Sequence, residues 1–204
     1  VEDTFWPYTL MPYRIPSLDV YASLFLRRFV EFWSLFGQTR NGFCKPVDYQ
    51  SKLLDLLNAK YFITTKNNKE EIKLKNDKFK LVYDKDIRIY ENKSYMERVF
   101  FVSDFKVIKK EDAILSELGD INFKPDHEII LEEEPLMKIE KAGFKNKSAV
   151  NITNYSANKI EIDADVPNMG FLVLSDTYYP GWKVFVDGKI DKIYCADYIF
   201  RAVF

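Results

Sequence analysis

Four residues within a span of seven have the types and spacing for sugar recognition: Asp176, Tyr178, Tyr179 and Trp182. Aromatic rings stack on the C–H faces of pyranoses, and a neighbouring carboxylate fixes hydroxyl groups. The four fall between two strand-like runs, in the kind of connection where binding residues concentrate. Pro180-Gly181 lies among them and equally suits a type II turn, with the aromatics stapling that turn to the core. The residues leave both arrangements open.

Elsewhere the chemistry is sparse. His127 is the single histidine, set in Asp126-His127-Glu128 with no nucleophile motif around it. That excludes most His-based catalysis and multi-His metal sites. Cys44 and Cys195 form no CxxC pair; a disulfide between them suits a location outside the cytoplasm, and two buried thiols are the favoured expectation. Glu132-Glu133-Glu134 on an extended chain points its carboxylates to alternate sides, so it reads as a solvated linker rather than a cation site. No Gly-rich phosphate loop, GxSxG elbow or HExxH helix occurs. No catalytic residue, metal site or cofactor is therefore expected.

The 204 residues include 30 basic and 31 acidic side chains. This balance gives no support to a nucleic-acid partner, which calls for a basic face. No run of about 18 uncharged apolar residues is present, so no segment is expected to span a bilayer. The chain begins Val1-Glu2-Asp3, with neither an initiator Met nor a signal peptide, as a piece of something longer would.

Ser17 precedes an apolar run and predicts the N-cap of a helix over 18–36, buried against a sheet or lying at a membrane surface. Gly37 to Pro46 reads as a loop and 47–58 as a second helix. Tyr61–Thr65 is β-branched and aromatic, hence a strand. The charged stretch 66–78 reads as a solvated loop or hairpin. Strands are expected at 79–83, 87–90, 99–102 and 128–131, with a helix at 111–118. The last third alternates with a period of two, as in Ile160, Ile162 and Ala164, and Asp187-Gly188 marks a tight hairpin turn. The expected class is α+β: an N-terminal helical and mixed α/β part over 1–134, then a mainly antiparallel β-sandwich or jelly-roll-like part over 135–204, with strands shared between them.

The block Leu174-Ser175-Asp176-Thr177-Tyr178-Tyr179-Pro180-Gly181-Trp182-Lys183, followed by Val186-Asp187-Gly188-Lys189, resembles the carboxy-terminal region of YfhO-type bacterial membrane proteins. Further blocks follow the family's order: Arg28–Phe32, Leu54–Ile63, Ile89-Tyr90-Glu91-Asn92 and Phe200-Arg201-Ala202-Val203. The family has a Pro-Arg pair after its Tyr-Glu-Asn, where this chain has Glu97-Arg98. The resemblance implies a soluble extracytoplasmic domain of a multi-pass membrane protein of the kind that transfers sugars from polyprenyl-phosphate lipids. Its implied partners are the transmembrane part of the same polypeptide and a polyprenyl-phosphate sugar or cell-envelope glycan. The catalytic carboxylate of such enzymes sits among membrane helices, so this chain is expected to be accessory. The alternative is a carbohydrate-binding or structural β-sandwich on the cell surface.

Overall fold

The computed structural model describes residues 16–18, 25–40, 43–66, 68–136 and 148–204. The described residues are mostly β, with 42% strand against 15% helix. The chain divides into two compact units, Val1–Met96 and Glu97–Phe204. The expected division after Glu134 falls inside the second unit, because strands from both sides of it join a single sheet.

In the first unit, α1 (Arg27–Ser34) starts after Leu26, which is extended and offers no side-chain cap. Ser17, the expected cap, is not helical, and 19–24 lie outside the described residues. The helix buries Phe32 and Trp33, and Trp33 meets Phe36 with ring centroids 4.9 Å apart. The expected loop 37–46 is instead a hairpin of β1 (Gly37–Arg40) and β2 (Phe43–Pro46), antiparallel in register. Then α2 (Lys52–Leu56) is capped by Ser51, whose hydroxyl accepts the Leu53 N–H at 3.2 Å.

Three antiparallel strands, β3 (Tyr61–Thr65), β4 (Phe79–Asp84) and β5 (Ile87–Asn92), form a sheet with β5 central. Its covered face carries Phe62, Phe79 and Tyr90, packed with Leu74 and Tyr49. Leu74 closes a 3-10 helix, Lys69–Leu74, where the charges of 66–78 predict a solvated loop. Glu71 explains it. Its buried carboxylate accepts from Arg88 at 2.6 and 2.7 Å and from the Tyr90 hydroxyl at 2.5 Å. Burial pushes that carboxyl up, but the Tyr90 and Arg88 hydrogen bonds outweigh it and leave Glu71 below its ordinary value. The Tyr90 phenol is pushed up to about 12 by its own burial and by Glu71.

The second unit is organised by a curled, half-barrel sheet of six strands. These are β6 (Val99–Val102), β7 (Asp104–Val107), β8 (Glu128–Leu131), β11 (Phe171–Thr177), β14 (Ile193–Ala196) and β15 (Phe200–Val203). Their order is β6-β11-β15-β14-β8-β7, all neighbours antiparallel except the parallel β7–β8 pair. Strands β6 and β7 lie at opposite edges, yet only the buried Ser103 separates them in the chain. A flat sheet cannot accommodate that, since neighbouring strands sit about 4.8 Å apart and six strands would hold the edges over roughly 20 Å apart. The curl brings Phe105 of β7 onto Phe171 of β11 at 5.6 Å, and Phe171 also meets Tyr194 and Phe204. Between β7 and β8, α3 (Glu111–Leu118) buries Ile114 and Leu118.

Two hairpins accompany this sheet. One is β9 (Ala149–Tyr155) with β10 (Ile160–Asp165), half-buried on the expected alternate face. The other is β12 (Val184–Val186) with β13 (Lys189–Asp191), joined through Asp187 and Gly188 at φ 49° and 78°, as the tight turn requires. The turn from β14 to β15 is more unusual. Asp197 and Tyr198 have φ of 46° and 72°, and both are fully buried. The Asp197 N–H donates to the Ile130 carbonyl, and its Oδ1 accepts the Ile130 N–H, each at 2.8 Å. Those two bonds extend a strand junction that otherwise has a single paired position, Ala196 with Leu131.

Candidate functional site

Asp176 lies near the end of β11, at a register break opposite β15, where Leu174 faces Arg201 and Thr177 faces Phe200. The break turns Asp176 toward Arg201, whose Nη2 donates to its Oδ2 at 2.9 Å. The Tyr155 hydroxyl donates to the same oxygen at 2.9 Å. Oδ1 faces the Arg98 Nη1 at 3.8 Å. Each guanidinium is also covered by a ring: Arg201 lies 4.3 Å from the Trp182 centroid and Arg98 4.9 Å from that of Tyr155. Such stacking is worth about 0.5–2 kcal/mol, rising as water is excluded.

Accessibility separates the two arginines. The Arg201 side chain is 9% exposed and that of Arg98 27%. Burial pulls the Arg201 guanidinium below its ordinary value, with Asp176 and Tyr155 acting the other way. Its Nε and the neighbouring Ser175 Oγ are buried without a hydrogen-bond partner among the described residues. Burial and the adjacent Asp176 carboxylate raise the Tyr155 phenol.

The four residues singled out in the sequence thus divide. Asp176 and Trp182 meet on Arg201, which ties the start of the aromatic loop to its end. Tyr178 anchors the loop through its backbone N–H, donated to the Ile199 carbonyl at 2.6 Å. Gly181 has a φ of 107°, the conformation that a turn led by Pro180 asks of glycine. Tyr179 is the residue left outward, 57% exposed. Trp182 precedes β12 rather than opening it.

Arg98, Tyr155 and Arg201 are site residues that sequence reasoning misses. One signal points to them: Arg201 is a lone cation in the apolar run Phe200–Val203. The pairing of Tyr155 with Asp176 leaves no local trace, since 21 positions separate them.

Two other blocks of the resemblance converge in the first unit. The Asn92 amide donates to Asp55 Oδ1 at 2.7 Å and to the Ala59 carbonyl at 3.0 Å, while its backbone N–H donates to the Lys60 carbonyl. The Asn58 amide donates to the Met96 carbonyl. Lys78 completes the group, its Nζ reaching Asp55 Oδ1 at 2.9 Å and the Gln50 and Ser51 carbonyls. Burial raises the Asp55 carboxyl, partly offset by Asn92 and Lys78. This arrangement fastens α2 to the three-stranded sheet.

An open polar depression of about 460 Å³ is lined by Asp104, Phe105, Lys106, Lys124, His127 and Glu128. Lys106 is already bridged to Glu117 and Glu128, at 2.6 and 3.0 Å. His127 lies 3.4 Å from Asp126 on the surface. Among the described residues, no group of three or more His, Cys, Asp or Glu could hold a metal ion. None of their helices is long and apolar enough to cross a membrane. Of the two expected buried thiols, Cys44 is buried and Cys195 only partly so, its Sγ donating to the Tyr198 carbonyl at 3.4 Å.

No family model, curated protein or solved structure matches this chain.

Proposed function

We propose that this chain is the extracytoplasmic, non-catalytic domain of a multi-pass membrane protein of the lipid-linked-sugar glycosyltransferase type, and that its aromatic loop helps hold a glycan substrate or acceptor. The membrane parent rests on the ordered sequence blocks. The accessory role is supported by one observation: the loop is fixed at both ends, by Trp182 on Arg201 and by Tyr178 on Ile199, while Tyr179 projects. A loop backbone fixed at both ends presents that ring with less freedom left to lose on binding a sugar. In this reading the β9–β10 hairpin forms the second layer of a sandwich, with Tyr155 reaching the sheet at Asp176.

The same contacts favour a second reading, a structural or carbohydrate-binding module on the cell surface, because Asp176 and Trp182 are occupied within the fold. Binding of cell-envelope oligosaccharides, followed by saturation-transfer NMR on wild type and Tyr179→Ala, tests the proposal. The expected result is contact to the Tyr179 ring and loss of binding in the variant without a change in Tm. Absence of binding at millimolar glycan would leave only the structural role.

A further inference from the structure

We infer that the Arg98–Asp176–Arg201 cluster selects an acidic sugar, a hexuronate unit whose carboxylate is taken by the Arg98 guanidinium. The inference rests on the carbohydrate reading above and adds the charge of the ligand.

Two guanidinium groups surround one carboxylate, which leaves the cluster with a net positive charge. Arg201 cannot be the contact group. It is nearly buried, covered by Trp182 and committed to Asp176 Oδ2 at 2.9 Å. Arg98 differs in burial and in its commitment to Asp176. Its pairing with Asp176 is long, at 3.8 Å, and its side chain is 27% exposed against 9% for Arg201, with the Tyr155 ring centroid 4.9 Å away. A partly exposed guanidinium whose one ion pair is long has N–H groups to offer a planar anion, and a carboxylate can take them in a two-point contact.

The neighbouring groups decide which anion fits. Among the described residues two guanidinium groups face one carboxylate, and that single excess positive charge matches a monoanion better than a dianionic phosphate. Asp176 commits Oδ2 to two donors and keeps Oδ1 beside Arg98. An acceptor oxygen next to a guanidinium is the pairing that a uronate presents from the other side: a ring hydroxyl adjacent to a carboxylate.

The experiment is a calorimetric titration of the chain with oligogalacturonate, its methyl ester and galactose 1-phosphate, at two salt concentrations, for wild type and Arg98→Gln. A charge-assisted hydrogen bond is among the stronger contacts available in water, so the acid should bind at least about tenfold more tightly than the ester. That preference should fade with salt and vanish in Arg98→Gln. Arg98→Lys retains the charge without the fork and should recover part of it, which also guards against a glutamine variant that fails to fold. Equal affinity for acid and ester overturns this inference and leaves the carbohydrate reading standing. Binding of galactose 1-phosphate as tight as the uronate overturns it as well. Failure of acid and ester alike removes both.

Discussion

Asp197 provides a stability prediction with a definite sign. Its carboxyl is fully buried, with Oδ1 held by the Ile130 N–H and Oδ2 without a partner among the described residues. Burial drives its pKa from 3.8 to about 7; the Ile130 hydrogen bond opposes this and Glu128 adds to it. The folded chain therefore holds this proton more tightly than the unfolded chain by about three powers of ten, or about 4 kcal/mol. Between about pH 4 and 7 the native state carries a proton that the unfolded state lacks, so stability falls as pH rises and levels off above about 7. The perturbation is Asp197→Asn, which keeps the Oδ1 acceptor, tolerates the positive φ and cannot ionise. The wild-type-minus-variant difference, from urea unfolding at pH 5 and pH 8, cancels the titration of every other group. It should shift by about 2.5 kcal/mol in favour of the asparagine variant at the higher pH. A difference flat to within about 0.5 kcal/mol would refute the buried, proton-retaining carboxyl. A loss of equal size at both pH values would mean that the side chain acts only through its geometry.

Two further expectations concern packing. Lys78→Met leaves Asp55 buried with Asn92 as its remaining side-chain partner among the described residues, and should lower the stability of the first unit by about 3–5 kcal/mol in thermal unfolding; adding Asp55→Asn should recover a large part, and a single-variant cost below about 1 kcal/mol would contradict the assignment. Gly170→Ala sets a methyl 2.5 Å from the Val102 carbonyl oxygen and the Phe101 ring, so β11 and β6 must separate, at about 1–3 kcal/mol in urea; an unchanged midpoint would show that β6 yields freely.

Strand identity is legible where side chains alternate or are β-branched. Tyr61–Thr65 and the β12–β13 turn match their sequence reading, because local sterics decide both. The 3-10 helix at Lys69–Leu74 does not. Its charge density marks a solvated segment, and only the remote Arg88 and Tyr90 make burial of Glu71 favourable. The hairpin of β1 and β2 looks like a loop in the sequence, since Gly37 and Pro46 at its ends mask short strands. For the site, the aromatic loop is visible as composition, but its binding to Arg201 is not. Tertiary pairing across a register break has no signature in local spacing, so the division of labour between Trp182 and Tyr179 emerges only in three dimensions.

The single residue Ser103 between the two edge strands acts as a drawstring. Lengthening the chain at that point would relax the curl and hold the edges of β6 and β7, which pair with no further strand of this sheet, more openly toward other molecules. A short insertion at Ser103 would change no strand residue and would still loosen the curl that sets Phe105 on Phe171. Resistance of this unit to aggregation thus depends on the shortness of one connection as much as on its surface charge.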